Sequence, residues 1–128
     1  MDETFSFRFD PLAVPVLTAL GVFPGNSFVT LSDDDRFTAK FGRWKADTTL
    51  SNIDCVQVTG PYRPYKAIGL RGSRVDHGLT FGTTAAGGVC VTFVEPIRRL
   101  IPGMNAHPGL TVTVADTEGL AAAIESRR

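Results

Sequence analysis

The segment TVTVADTEGLAAAIES, Thr111–Ser126, changes its period partway along, and that change decides the architecture. Thr111 to Val114 alternate polar and apolar residues, the two-residue repeat of a strand with one covered face. Asp116 then offers a side-chain acceptor to the open amides of a helix start, and Glu118 places negative charge in its first turn. Leu120, Ala121 and Ile124 follow on one apolar helical face. The pattern predicts a helix from Thr117 to about Ser126, packing Leu120 and Ile124 onto a sheet.

Most of the chain upstream reads as strand and turn. TFSFRF, Thr4–Phe9, puts Phe5, Phe7 and Phe9 on one covered face. Pro11–Leu20 is a short helix or helical turn, compatible with Pro11 at its start, limited by Pro15 and ended by Gly21. Ser27–Leu31 and Arg36–Phe41 flank the polar turn Ser32–Asp35, a hairpin pattern. Beyond Gly42, Trp44, Ala46 and Thr48 alternate with Arg43, Lys45 and Asp47, giving a second hairpin or one sharply bent strand. Cys55–Val58 is a further strand. Leu79–Thr84 and Val89–Val94 are expected to pair through a hairpin turn at Ala85–Gly88. Trp44, Phe41 and Phe81 are assigned to the core.

Seven or eight antiparallel strands closed by one C-terminal helix describe a mainly β fold, a barrel or sandwich. The chain has 128 residues, 43% hydrophobic and 20% charged. No linker or repeat divides it, so residues 1–128 are expected to form one domain able to bury a core without metal or disulfide staples.

The formal net charge is zero, which gives no support to nucleic-acid binding or to coating of membranes by bulk electrostatics. The charge is nonetheless segregated: residues 1–35 carry a net −5, residues 36–45 a net +4 and residues 60–101 a net +4. The N-terminus is acidic and runs directly into a strand pattern, not a signal peptide, and no apolar run approaches the roughly 20 residues that span a bilayer. A cytoplasmic location follows as an expectation, with Cys55 and Cys90 as reduced, buried thiols inside apolar strands.

Two passages carry a resemblance. Arg43–Ile53, RWKADTTLSNI, resembles the exposed strand and the "leucine, two polar residues, isoleucine" elbow of bacterial pleckstrin-homology-like domains. Leu110–Ile124 resembles their closing strand, cap and helix. The chain as a whole, above all GLTFGT at Gly78–Thr83, GVCV at Gly88–Val91 and HPGLTVTVAD at His107–Asp116, is similar to an uncharacterised family of actinobacterial proteins that carries no function to transfer. The first resemblance implies two bent antiparallel sheets closed at one corner by the C-terminal helix. Phosphoinositide-binding pleckstrin-homology domains place basic residues in their first hairpin, whereas the first clear hairpin tip here is the acidic Ser32–Asp35.

No catalytic set is legible. His77, in VDHG, and His107, in AHPG, both sit in turn-like sequence, and no nucleophile elbow is present. Cys55 and Cys90 are isolated and no histidine lies at ligand spacing, so neither a metal nor another cofactor is expected. Asp33-Asp34-Asp35 lacks the alternating ligands of a calcium loop and reads as a solvated turn. The one stretch suited to a ligand is TGPYRPYKAIGLRGSR, Thr59–Arg74. Arg63, Lys66, Arg71 and Arg74 can give charge-assisted hydrogen bonds to phosphate or carboxylate, and Tyr62 and Tyr65 can stack on a flat group. Arg98 and Arg99 could join them. The competing account has the tyrosines packing inward and the bases spread over the surface.

Three functional classes follow. The leading one is a non-enzymatic interaction module that self-associates or binds a protein partner. The second is a binding domain for an anionic small molecule or lipid headgroup, using the Tyr62–Arg74 loop with Arg98 and Arg99. The third is a carrier of an apolar ligand, suggested by nine phenylalanines.

Overall fold

A computed structural model describes every residue except 1, 64–66, 74–76, 102 and 128. The elements run β1 (Glu3–Ser6), α1 (Val14–Ala19), β2 (Ser27–Leu31), β3 (Arg36–Phe41), β4 (Trp44–Thr49), β5 (Ile53–Thr59), β6 (Gly69–Gly72), β7 (Leu79–Gly82), β8 (Gly88–Ile97), β9 (His107–Val112) and α2 (Thr117–Arg127). Short 3-10 turns precede α1, β2 and β5.

The fold is mainly β, with two sheets and a C-terminal helix. The first sheet is an antiparallel meander, β1-β2-β3-β4. The second has the order β5-β8-β9-β7-β6. Inward-facing side chains of both sheets and the inner face of α2 share one apolar cluster. At its centre Phe41 of β3 stacks on Phe81 of β7, with ring centroids 5.0 Å apart and planes 6° apart. Phe7 meets the same Phe41 ring at 5.8 Å, so rings from both sheets meet around it.

The predicted helix is present. Asp116 Oδ1 accepts the Gly119 amide at 2.9 Å, the side-chain cap that the sequence implied, and Leu120 and Ile124 are buried. The helix packs on β5 and β8. The expected Ser27–Phe41 hairpin also forms, with Leu31 opposite Phe37 and Ser27 opposite Phe41. The next pair, β3 and β4, is a tight hairpin, not a bent strand. Phe7 is buried, and Phe5 and Phe9 pack partly buried against the same core.

Several expectations are corrected. The sheets do not close into a barrel, and nine strands are present among the described residues where seven or eight were expected. The sheet is not wholly antiparallel: β7 runs parallel to β9. That follows from a third difference, because β7 and β8 do not form a hairpin and β9 lies between them. The connection after β7 is drawn aside by the N-terminal segment. The Thr84 hydroxyl donates to Asp10 Oδ1 at 2.6 Å, the Ala85 amide donates to Asp10 Oδ2 at 3.0 Å, and the Asp10 amide donates to the Thr83 carbonyl at 3.0 Å. Finally, the cysteines are not core residues. Cys55 is exposed and Cys90 partly exposed, both without a disulfide. Strand alternation explains this: Val89 and Val91 point inward, which turns Cys90 outward. Trp44 is likewise only partly buried, at the rim of the core, with the Arg43 guanidinium 5.3 Å above its ring.

Among the described residues no helix is long and apolar enough to cross a membrane.

Candidate functional site

The outward face of the second sheet is unusual in its side chains. Reading the register across all five strands gives one transverse row: Gln57, Cys90, Thr111, Thr80 and Arg71. At a strand spacing of about 4.8 Å this row spans about 19 Å. Gly88 and Gly82 lie beyond it on the same face, and Gly109 lies on its other side. Small polar side chains and glycines leave this face low, so other segments can rest on it.

Tyr62 and Ala67 do so. A Cβ placed on Gly82 would fall 1.4 Å from the Ala67 carbonyl oxygen, and one on Gly88 would fall 3.2 Å from the Tyr62 hydroxyl. These two residues therefore cross the sheet face over these two glycines. Tyr62 is fixed there by its amide, which donates to the Ala85 carbonyl at 2.7 Å, and by a hydroxyl contact with Thr59.

Between this crossing and the far end of the sheet lies an open trough, made of two recesses that share Thr80 and Thr111. The smaller, about 230 Å³, is lined by Tyr62, Arg63, Thr80 and Thr111. The larger, about 450 Å³, shares Thr80 and Thr111 and adds Arg71 and Cys90. Threonine hydroxyls and a thiol thus form the floor, a half-buried tyrosine one wall, and two exposed arginines flank the β7 strand. Hydroxyls and guanidinium groups together form a donor set for carboxylate or phosphate oxygens.

Of the residues singled out in the sequence, Tyr62, Arg63 and Arg71 converge on this trough. Arg98 does not: it lines a separate recess with Asp47 and Glu95 near the end of β8. Arg99 is exposed in the connection that follows and does not line the trough. Tyr65, Lys66 and Arg74 lie outside the described residues. Thr80, Thr111 and Cys90 were missed, because each sits within an ordinary alternating strand and only the register brings them into line. The far end of the trough is held by His107. Its Nε2 accepts the Leu100 amide at 3.0 Å and its Nδ1 lies 2.7 Å from the His77 carbonyl, so a fully buried ring ties two connections together.

Burial pushes the Tyr62 phenol above its ordinary value of 10.0, against the lowering effect of the Thr59 hydrogen bond, with the nearby Cys90 adding to the rise. The sign of the stability effect follows. Above about pH 10 the unfolded chain loses the Tyr62 proton while the folded chain keeps it, so the folded state holds more protons and stability falls as pH rises through that window. Tyr62→Phe is expected to flatten this part of the pH dependence. Urea midpoints measured for both proteins from about pH 8 to about pH 11 check it; parallel curves would disprove it.

Comparison with family models, with curated proteins and with solved structures finds no match to this chain.

Proposed function

We propose that this chain is a non-enzymatic binding module that takes a small anionic ligand into the trough on the second sheet. One observation carries the reading: Arg63 and Arg71, eight residues apart in sequence, line two adjoining recesses that share Thr80 and Thr111. One exposed arginine holds an anion weakly against water and salt. Two of them flanking a hydroxyl-lined floor, with Tyr62 supplying an aromatic wall, favour a ligand that combines a negative group with a flat or apolar part.

The other two readings have less behind them. Carriage of an apolar ligand rested on the phenylalanines, and Phe7, Phe37, Phe41, Phe81 and Phe93 are buried within the packed core. Self-association or a protein partner drew on charge segregation and on the lack of a legible catalytic set, neither of which points to a particular surface. The parallel β7–β9 pair also departs from an all-antiparallel pleckstrin-homology-like sandwich, so the proposal is built on the trough and not on that likeness.

Calorimetric titration at low salt with inorganic phosphate, adenosine monophosphate, citrate and inositol phosphates tests the reading. Saturable binding to at least one is expected, weakened at least about tenfold in Arg71→Ala and in Arg63→Ala, since hydrogen bonds to charged groups are the stronger kind. Absence of binding to all four, or binding unchanged in both variants, would refute it.

A further inference from the structure

The segment around α1 carries a different surface. Between Asp10 and Asp33 the chain has no charged residue at all. Within that stretch α1 and the turns around it bury only one side, through Ala13, Leu17 and Val22. The other side leaves Leu12 95%, Val16 57%, Phe23 45% and Val14 41% exposed. Among the described residues, four of the six exposed large apolar side chains are therefore clustered in twelve residues. A helix apolar on both faces is normally covered on both.

Beside this patch sits a cationic tip. The β3–β4 turn packs on the end of the α1 segment: the Gly42 amide donates to the Asn26 carbonyl at 3.2 Å, and a Cβ on Gly42 would lie 2.9 Å from the Gly21 carbonyl oxygen. That turn carries Arg43, and next to it Lys40 and Lys45 stand directly opposite each other across the strands. Like charges facing each other across a strand pair destabilise a sheet. None of the three pairs with a carboxylate among the described residues, while the nearby Asp47 is engaged by Arg36 at 2.9 Å.

We infer that this end of the molecule docks onto an anionic lipid surface, with Leu12, Val16 and Phe23 entering the interface and Lys40, Arg43 and Lys45 meeting the headgroups. Charge and shape select this occupant. A second copy seated symmetrically on the apolar patch would bring two cationic tips together. A second copy offering its acidic Asp33–Asp35 turn would meet the cations but leave the apolar side chains uncovered, since none of the exposed large apolar residues lies at that turn. Leu12 projects almost wholly into solvent, the posture of a side chain that inserts and not of one that lines a groove. An apolar contact combined with a basic cluster is the two-part signal that holds proteins at anionic bilayers.

The test is sedimentation of the intact chain with phosphatidylcholine vesicles, with and without about one-third phosphatidylserine, at low and high salt. Binding is expected only to the anionic vesicles and is expected to weaken with salt. It should be accompanied by a blue shift in the emission of Trp44, the only tryptophan, which lies beneath Arg43. Leu12→Asp and Arg43→Glu, both at exposed positions and so compatible with folding, should each reduce vesicle binding about tenfold. No binding to anionic vesicles, or undiminished binding by both variants, overturns the inference. An effect of Arg43→Glu alone refutes insertion. Self-association in vesicle-free sedimentation that is lost in Leu12→Asp, without lipid binding, makes the face a protein interface instead.

Discussion

Phe41→Ala is expected to lower the unfolding free energy by about 3–5 kcal/mol, the usual cost of emptying a fully buried phenylalanine site. Phe41 has no exposed surface and its ring meets Phe7, Trp44 and Phe81. The Phe81 contact matters most, because it joins β3 of one sheet to β7 of the other. The described strands are hydrogen-bonded within two separate sheets, with a single bridge, Phe7 to Val114, outside them. Backbone hydrogen bonds tie the layers along one edge, from the Ala115 amide to the Ser6 carbonyl and from the Arg8 amide to the Thr113 carbonyl, and elsewhere side-chain packing holds them together. Removing the central ring leaves a cavity that neither layer can close without sliding over the other. Phe23→Ala, at a side chain 45% exposed, is the control and should shift stability by no more than about 0.5 kcal/mol. Guanidinium unfolding of both variants measures the contrast. Similar midpoints for the two would mean that the layers are not joined through Phe41.

The parts of this fold that were legible in the sequence are those whose signals are local. Asp116 ahead of Leu120 and Ile124 marked a capped helix, and the polar turn Ser32–Asp35 between two alternating runs marked a hairpin. Each depends on residues within a few positions of one another. The β7–β9 pairing does not. It depends on Asp10 holding Thr84 and Ala85, partners 74 and 75 residues away, so the Ala85–Gly88 turn signal was real in composition but misleading in topology. The cysteines failed for a related reason. Apolar runs around Cys55 and Cys90 suggested burial, yet period two sends alternate residues outward whatever their neighbours are. The strand β6 went unseen because its sequence, GLRG, has too little side chain to show a pattern, and its pairing with β7 is what makes it a strand.

The candidate site followed the same rule. Its arginines and Tyr62 stood out by residue type, whereas its floor was invisible. Thr80, Thr111 and Cys90 become a surface only when three strands far apart in sequence are placed in register. The glycines of that face were also legible only as loop or strand breakers, although Gly82 and Gly88 provide the room in which Tyr62 and Ala67 lie.

Gly82 gives the sharpest expectation on that point. In Gly82→Ala the new methyl would lie 1.4 Å from the Ala67 carbonyl oxygen and 2.6 Å from its carbonyl carbon, well inside any permitted contact. Both atoms belong to backbone, so no side-chain rotation relieves the clash. Either the crossing at Ala67 lifts off the sheet or β7 is pushed away from it, and the loss should be about 3 kcal/mol, the upper part of the range for overpacking. Gly25→Ala is the matched control: nothing lies within 4 Å of a Cβ there, and the change should be close to neutral. The two routes are separable. If the crossing lifts, Tyr62 becomes solvated, the stability loss above about pH 10 that its burial causes disappears, and anion binding through Arg63 goes with it. If β7 moves instead, the Phe41–Phe81 stack is broken, and Gly82→Ala combined with Phe41→Ala costs less than the two changes added together. A variant as stable as the parent would mean that the segment does not rest on Gly82, and the trough would lose its Tyr62 wall.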